Sequence, residues 1–298
     1  MAHMTPHIRI SPFLPNEWDK LILKPISKKA PHEALTPGFW LDGASGLETF
    51  DSGRAALEHC LKRCGLKKNE EVLIVTTTQG PYISSCVTKT IEKVCRWSRQ
   101  LTNKTRAALI IHEFGFPCPK TLVAPLIKKG LPIIEDCAYA IGSRINGAEV
   151  GRYGDYAIYS LTKYYPIPFG GLLISKEKNK TSAHHLTADD EKLLRLTIKN
   201  SAPLYHQWNK ARQDNWNFFA GRLRPYQITP YFQRDHGVVP GVFLAKLPKG
   251  FPAAQKKERL NQAGVESTQY YGQGGFYFPA HQFLTDYEKE YILYHFLK

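Results

Sequence analysis

Between about residues 48 and 175, short apolar runs alternate with stretches of helical period. Residues 72–76, 107–111, 131–135, 156–160 and 171–175 are β-branched or continuously apolar, the pattern of buried strands. Between them, Ala55-Ala56-Leu57 with Cys60, Leu61 and Cys64 predicts a helix that stops at Gly65, and residues 82–97 and 120–129 repeat the helical spacing. Strands separated by helices read as βαβ units. The fold class is therefore α/β, with a mostly parallel central sheet flanked by helices and ligand chemistry beyond the carboxyl ends of its strands. Residues 5–47 show no sustained period and predict an irregular arm. After 185 the regularity fades into a Trp- and Asn-rich stretch, before a strand signal at 241–247 and a closing helix at 287–297. The expected division is an N-terminal arm (1–47), a large domain (48–184) and a smaller α+β C-terminal domain (185–298).

Composition narrows this picture without redirecting it. With 298 residues, 43% apolar and 22% charged, disordered, collagen-like and mini-protein classes are excluded. A net charge of +14 favours anionic partners, but the basic residues occur in short pieces at 27–29, 67–68 and 176–180 rather than in one long arm. No helix-turn-helix, zinc or RNP pattern appears, so no specific nucleic-acid partner is expected. Six cysteines without a Cys-x-x-Cys pair read as reduced thiols of a cytoplasmic protein. No run is long enough to suggest an export signal or a membrane span, and Met1-Ala2-His3-Met4 reads as a cloning remnant.

Three segments place reactive residues where an α/β fold builds its site. Ile133-Ile134-Glu135-Asp136 ends a strand in two acids that need partners if they are half-buried, although a helix cap or a surface acid would read the same way. Ser160-Leu161-Thr162-Lys163 sets a lysine at a strand exit, where partial desolvation would make it a nucleophilic amine near neutral pH; an ordinary surface lysine is the alternative. Asp51-Ser52-Gly53-Arg54 opens a helix whose first N–H groups form an anion cradle, or a plain N-capped turn. Together and in this order they supply a phosphate anchor, a carboxylate for a pyridinium nitrogen and a lysine for a carbonyl, the parts that hold pyridoxal 5′-phosphate.

The chain resembles the DegT/DnrJ/EryC1/StrS sugar aminotransferase family of fold-type I pyridoxal-phosphate enzymes, in a divergent and short form. The resemblance rests on Ser52 to Leu57, Glu71-Val72, Ile111-His112-Glu113-Phe114-Gly115, Ile134-Glu135-Asp136-Cys137-Ala138, residues 151–155, Ser160 to Lys163 and Gly170-Gly171. Ala263-Gly264-Val265-Glu266 and Pro279-Ala280-His281 add a weaker echo. It implies that Lys163 bonds the cofactor and shuttles protons, and that Asp136 pairs with the pyridine nitrogen. Gly53, Arg54 and Ser160 would hold the phosphate, Tyr82 would stack on the ring, and Tyr139 would reach the ring oxygen. Arg54 stands where the family has Thr or Ser, and Tyr139 where it has Gln or His. The family's Asn-Tyr-Arg interface motif is absent, and residues 205–224 are the candidate replacement.

The resemblance implies transfer of an amino group, with glutamate as donor, to a nucleotide-linked keto-sugar, in a homodimer. The alternatives are another carbanion reaction on the same cofactor and a catalytically inactive binding protein. A retained Lys163 argues against the sugar dehydratases, which replace it with His.

Overall fold

The computed structural model describes residues 6–23, 46–176 and 185–298. The segment 1–4 expected to be a cloning remnant, the basic run at 27–29, much of the expected arm and most of the 176–180 run lie outside them. Helix α1 (Pro15–Leu23) falls within the stretch expected to be irregular and packs against a later helix spanning Ala188–Ser201. Strand β1 (Leu47–Phe50) is followed by α2 (Gly53–Arg63), β2 (Glu71–Thr76), α3 (Ser85–Glu92), β3 (Arg96–Ser98), β4 (Thr105–Ile111), α4 (Lys120–Lys128) and β5 (Ile133–Asp136). The short pair β6 (Arg144–Ile145) and β7 (Ala148–Glu149) leads into β8 (Tyr156–Ser160) and β9 (Gly171–Ser175). Helices α5 (Ala188–Ser201) and α6 (Tyr205–Leu223) precede β10 (Thr229–Pro230), β11 (Val242–Lys246), α7 (Ala253–Gln262), β12 (Thr268–Tyr270), β13 (Gly275–Pro279) and α8 (Asp286–Leu297).

Seven strands form the central sheet in the order β1-β9-β8-β5-β4-β2-β3. Its pairs from β3 across to β8 are parallel, while β9 runs antiparallel to both β8 and β1. Helices cover both faces. Leu57, Cys60 and Leu61 of α2 and Ile91 of α3 pack on Ile74, Leu109, Ile134 and Ile158, while Val123 and Leu126 of α4 meet Ala108, Ile110 and Ile133. Such alternation of inward side chains follows from the two-residue period of a strand buried on both faces. A second, antiparallel sheet of order β10-β11-β13-β12 builds its own core with Phe219, Leu260, Ile292 and Phe296.

Two expectations are corrected. The helix expected over 82–97 ends at Glu92, and Arg96 to Ser98 form β3 against β2. Thr90, Ile91, Val94 and Cys95 are all buried, so a turn followed by an edge strand carries the same apolar spacing as two more helical turns. The fading regularity after 185 is in fact two helices. Thr187 caps α5, and Asp189, Asp190 and Glu191 fill its first turn, a legible start signal. Helix α6 lacks one apolar face because it serves two cores: Tyr205 and Trp208 pack towards the central sheet, and Trp216, Phe219 and Leu223 towards the second.

The two sheets are tied at Phe114-Gly115, which adopt φ of 54° and 95°. The turn lets Gly241 N donate to Phe114 O at 2.7 Å. A Cβ on Gly115 would come within 2.3 Å of Val239 O, so only glycine allows this approach. Among the described residues the six cysteines form no disulfide, and no helix is long and apolar enough to cross a membrane.

Candidate active site

One cavity of about 480 Å³ opens beyond the carboxyl ends of the parallel strands, and all seven expected site residues line it: Gly53, Arg54, Tyr82, Asp136, Tyr139, Ser160 and Lys163. Its floor follows from strand geometry. Because successive side chains of β5 point to opposite faces, Asp136 turns into the cavity while Glu135 turns away from it.

Glu135 is fully buried and accepts four hydrogen bonds: from Gly151 N at 2.9 Å, Tyr153 N at 2.7 Å, Gly154 N at 2.6 Å and His112 Nε2 at 3.0 Å. His112 Nδ1 accepts from Cys118 N at 3.0 Å, which leaves Nε2 as the nitrogen that donates to Glu135. Burial pushes the Glu135 carboxyl up, but the bonds from His112 and from the backbone N–H groups of Gly154 and Gly151 outweigh it and hold the group below its usual range. The 151–155 segment is thus a backbone cage for Glu135, closed by Asp155 Oδ2, which accepts from Ile133 N at 2.8 Å. Glu135 anchors the strand that carries Asp136.

Asp136 Oδ1 accepts from Ala138 N at 3.0 Å, and burial holds its carboxyl above the ordinary carboxylate value. A desolvated carboxylate facing a cavity calls for a cationic N–H.

Lys163 sits in a short 3-10 turn after β8. Its amine lies 5.1 Å from the centroid of the Tyr139 ring. The Tyr139 phenol raises its pKa, and this outweighs burial, which acts in the opposite direction. The amine is therefore more firmly protonated here than the desolvation argument from sequence expected. Arg212, missed from sequence, fixes this turn. It is 1% exposed, donates from Nη2 to Lys163 O at 2.8 Å, and bonds Gln282 Oε1 at 2.7 Å, whose amide in turn donates to Tyr164 O at 2.7 Å. Burial lowers its pKa to about 10, so it remains charged at neutral pH. The one signal available was an arginine embedded among aromatics in residues 205–224.

The anion cradle lies where α2 begins. Ser52 Oγ accepts from Ala55 N at 3.2 Å, and the first intrahelical backbone bond is made by Ala56 N, leaving the N–H groups of Gly53 and Arg54 ahead of it at the cavity wall. Ser160 closes the cradle from β8: a Cβ on Gly53 would stand 3.1 Å from Ser160 Cβ. Gly171 is tighter still, since a Cβ there would lie 2.3 Å from both Ser52 C and Ser52 O. Gly171→Ala is expected to push the Ser52-Gly53 turn off β9, at a cost of about 1–3 kcal/mol. A fall in melting temperature with loss of phosphate affinity checks this; unchanged values for both would contradict the packing.

Tyr82 and Tyr277 complete the wall, Tyr277 coming from β13 of the second sheet. Tyr277 was not foreseen, because nothing near 277 marks that strand as reaching across to the other sheet. The candidate interface stretch 205–224 is largely α6, with Arg212 buried and Arg222 exposed and paired with Glu290.

In its fold the chain is similar to solved aminotransferases, and a carboxylate, a lysine and a helix-start cradle lie around one of its cavities. The chain is related to the DegT/DnrJ/EryC1/StrS aminotransferase family, whose model matches residues 89–186. It is 30% identical over 146 residues to GDP-perosamine synthase of Escherichia coli O157:H7, a match covering 44% of this chain and 40% of that protein. The chain thus matches about two fifths of that relative's length. A DegT DnrJ EryC1 StrS aminotransferase of Brucella abortus superposes with a TM-score of 0.69 at 13% identity, covering 95% of each chain. Spr1654 of Streptococcus pneumoniae in its PLP form superposes with a TM-score of 0.66 at 14% identity, covering 99% of this chain and 97% of that one.

Proposed function

We propose that this chain is a pyridoxal-phosphate-dependent aminotransferase that moves an amino group from glutamate to a nucleotide-linked keto-sugar. The observation carrying the reading is the convergence of Lys163, Asp136, Ser160, Gly53 and Arg54 on one cavity. The residues fit the cofactor: Asp136 is desolvated with one backbone hydrogen bond, and glycines stand at the cradle where a Cβ would collide. When bound, pyridoxal phosphate supplies an electron sink for carbanion chemistry.

The chain's own residues divide the remaining work. The N–H groups of Gly53 and Arg54, the Arg54 guanidinium and the Ser160 hydroxyl bind the phosphate. Asp136 would hold a proton on the pyridine nitrogen when the cofactor is bound, with the His112 and Glu135 pair packed behind its strand. Lys163 Nζ anchors the cofactor and, once free, carries a proton to and from the substrate carbon. Tyr139 orients that amine and exchanges a proton with it. Tyr82 and Tyr277 exclude water from one wall. The relative named a GDP-perosamine synthase and the positive net charge support a nucleotide-linked acceptor. A second copy of the chain completing the site and a cytoplasmic location are part of this proposal, on resemblance.

The testing experiment incubates the cofactor-loaded protein with glutamate and a panel of nucleotide-linked keto-sugars and follows 2-oxoglutarate and amino-sugar together by mass spectrometry. Both products are expected in equal amounts. Cofactor binding without product from any donor would overturn the aminotransferase reading.

A further inference from the structure

A second cluster of ionisable side chains lies on the far side of the β1–α2 connection, and the mechanism above leaves it unused. Glu48 on β1 is 1% exposed. Its Oε1 is taken by Arg63 Nη1, whereas its Oε2 is buried and, among the described residues, without a hydrogen-bond partner. Two imidazole nitrogens face that oxygen: His59 Nε2 from α2 at 3.4 Å, and His185 Nε2 from the segment before α5 at 3.5 Å. The three donor atoms lie within 4.8 Å of one another.

These separations decide between two readings. A well-formed N–H···O bond spans about 2.7–3.2 Å, and both contacts exceed that range. Zinc bonds imidazole nitrogen and carboxylate oxygen at about 2.0–2.2 Å, so two ligands of one tetrahedral ion stand about 3.3–3.5 Å apart. The observed gaps match the edge of such a tetrahedron. The rings are also held in place: His185 stacks on Phe50 with centroids 4.3 Å apart, and its backbone N donates to Thr49 O at 3.2 Å. Arg63 has two effects. Its bond to Oε1 leaves Glu48 one oxygen to offer, while Arg63 Nη2, 3.3 Å from His59 Nε2, must yield when that nitrogen takes an ion. A cleft of about 300 Å³ bordered by His59, His185, Glu58 and Lys62 provides room for a fourth ligand.

We propose that Glu48, His59 and His185 form a three-ligand site for a divalent transition-metal ion of the zinc type, with water in the fourth position. Two histidines and a carboxylate from three separate segments suit a borderline-soft ion better than magnesium or calcium, which take oxygen ligands. The ion would fasten β1, α2 and the lead into α5 together.

The test uses the full chain without an affinity tag, stripped of metal by chelator, with Zn²⁺ titrated in competition with a chromophoric chelator. Co²⁺ serves as a spectroscopic substitute. One Zn²⁺ per chain and the intense visible bands of tetrahedral Co²⁺ are expected. His185→Ala, outside any helix or strand, should weaken Zn²⁺ binding by at least about 10–100-fold and abolish those bands, with circular dichroism unchanged. Glu48→Gln should do the same. No stoichiometric Zn²⁺ in the parent protein, or full binding in His185→Ala, would overturn the site. The loaded cofactor's absorbance, read on the same samples, belongs to the other cavity and keeps failure of this proposal distinct from failure of the aminotransferase reading.

Discussion

Lys163→Ala is expected to leave the fold intact, to end borohydride-dependent labelling by pyridoxal phosphate and to lower turnover by at least about 10²–10⁴-fold, the range lost with a positioned proton carrier alone. The fold should survive because the turn bearing Lys163 is held by its backbone: Arg212 bonds Lys163 O, not the side chain. Removing the amine instead takes a partner from Tyr139. Borohydride reduction followed by peptide mass mapping checks the expectation directly. In the parent, the mass of the reduced cofactor should appear on the peptide containing Lys163, and in a separate unreduced sample the visible absorbance should bleach on adding glutamate. Labelling spread over surface lysines, unchanged in Lys163→Ala, would remove the basis for the cofactor assignment.

The largest expected effect on stability lies at Glu135. Glu135→Ala leaves the Gly151, Tyr153 and Gly154 N–H groups and the His112 Nε2–H without an acceptor in a fully buried place. Each such group costs about 1–3 kcal/mol, so the loss should be at least about 4 kcal/mol, a large part of the about 5–15 kcal/mol that domains possess. Urea denaturation followed by fluorescence measures it; a loss under about 1 kcal/mol would show that water or the collapsing loop replaces the carboxylate. The pH dependence carries a definite sign. The folded-state pKa of Glu135 is depressed, so its contribution is complete above the unfolded carboxylate value of about 4.3 and is lost as pH falls through the lower folded value. Glu135→Gln should therefore flatten the acid limb of the stability profile.

Much of this was legible from the chain. Short apolar runs marked the central strands because both faces of that sheet are covered, and a strand buried twice has no polar face to confuse its pattern. Gly53, Arg54, Asp136, Ser160 and Lys163, which line one cavity, were legible because they sit at or just beyond a strand end or helix start, where residue type and local geometry are linked. What escaped were residues whose roles depend on distant packing. Arg212 acts from a helix that serves two cores and so lacks a single apolar face. Tyr277 reaches the cavity only because Phe114-Gly115 turns the second sheet towards the first. Lys163 shows the same limit: its burial follows from the strand exit, but the neighbouring Tyr139, which acts against burial and raises its pKa, becomes visible only once both side chains are placed.

The strand order has a further consequence, for how the protein acquires its site. Ser52 bridges Gly170, and β1 pairs with β9, so the two halves of the cradle come from chain positions more than a hundred residues apart. Closing so long a loop is entropically costly, and contacts of this kind form late in folding. Ligand capture should therefore report completed folding, with no affinity in fragments that end before β9. A ligand held at a hundred times its dissociation constant would add about 2.7 kcal/mol to the native state. In the cell, supply of that ligand would then set not only how fast the protein works but how long each copy survives.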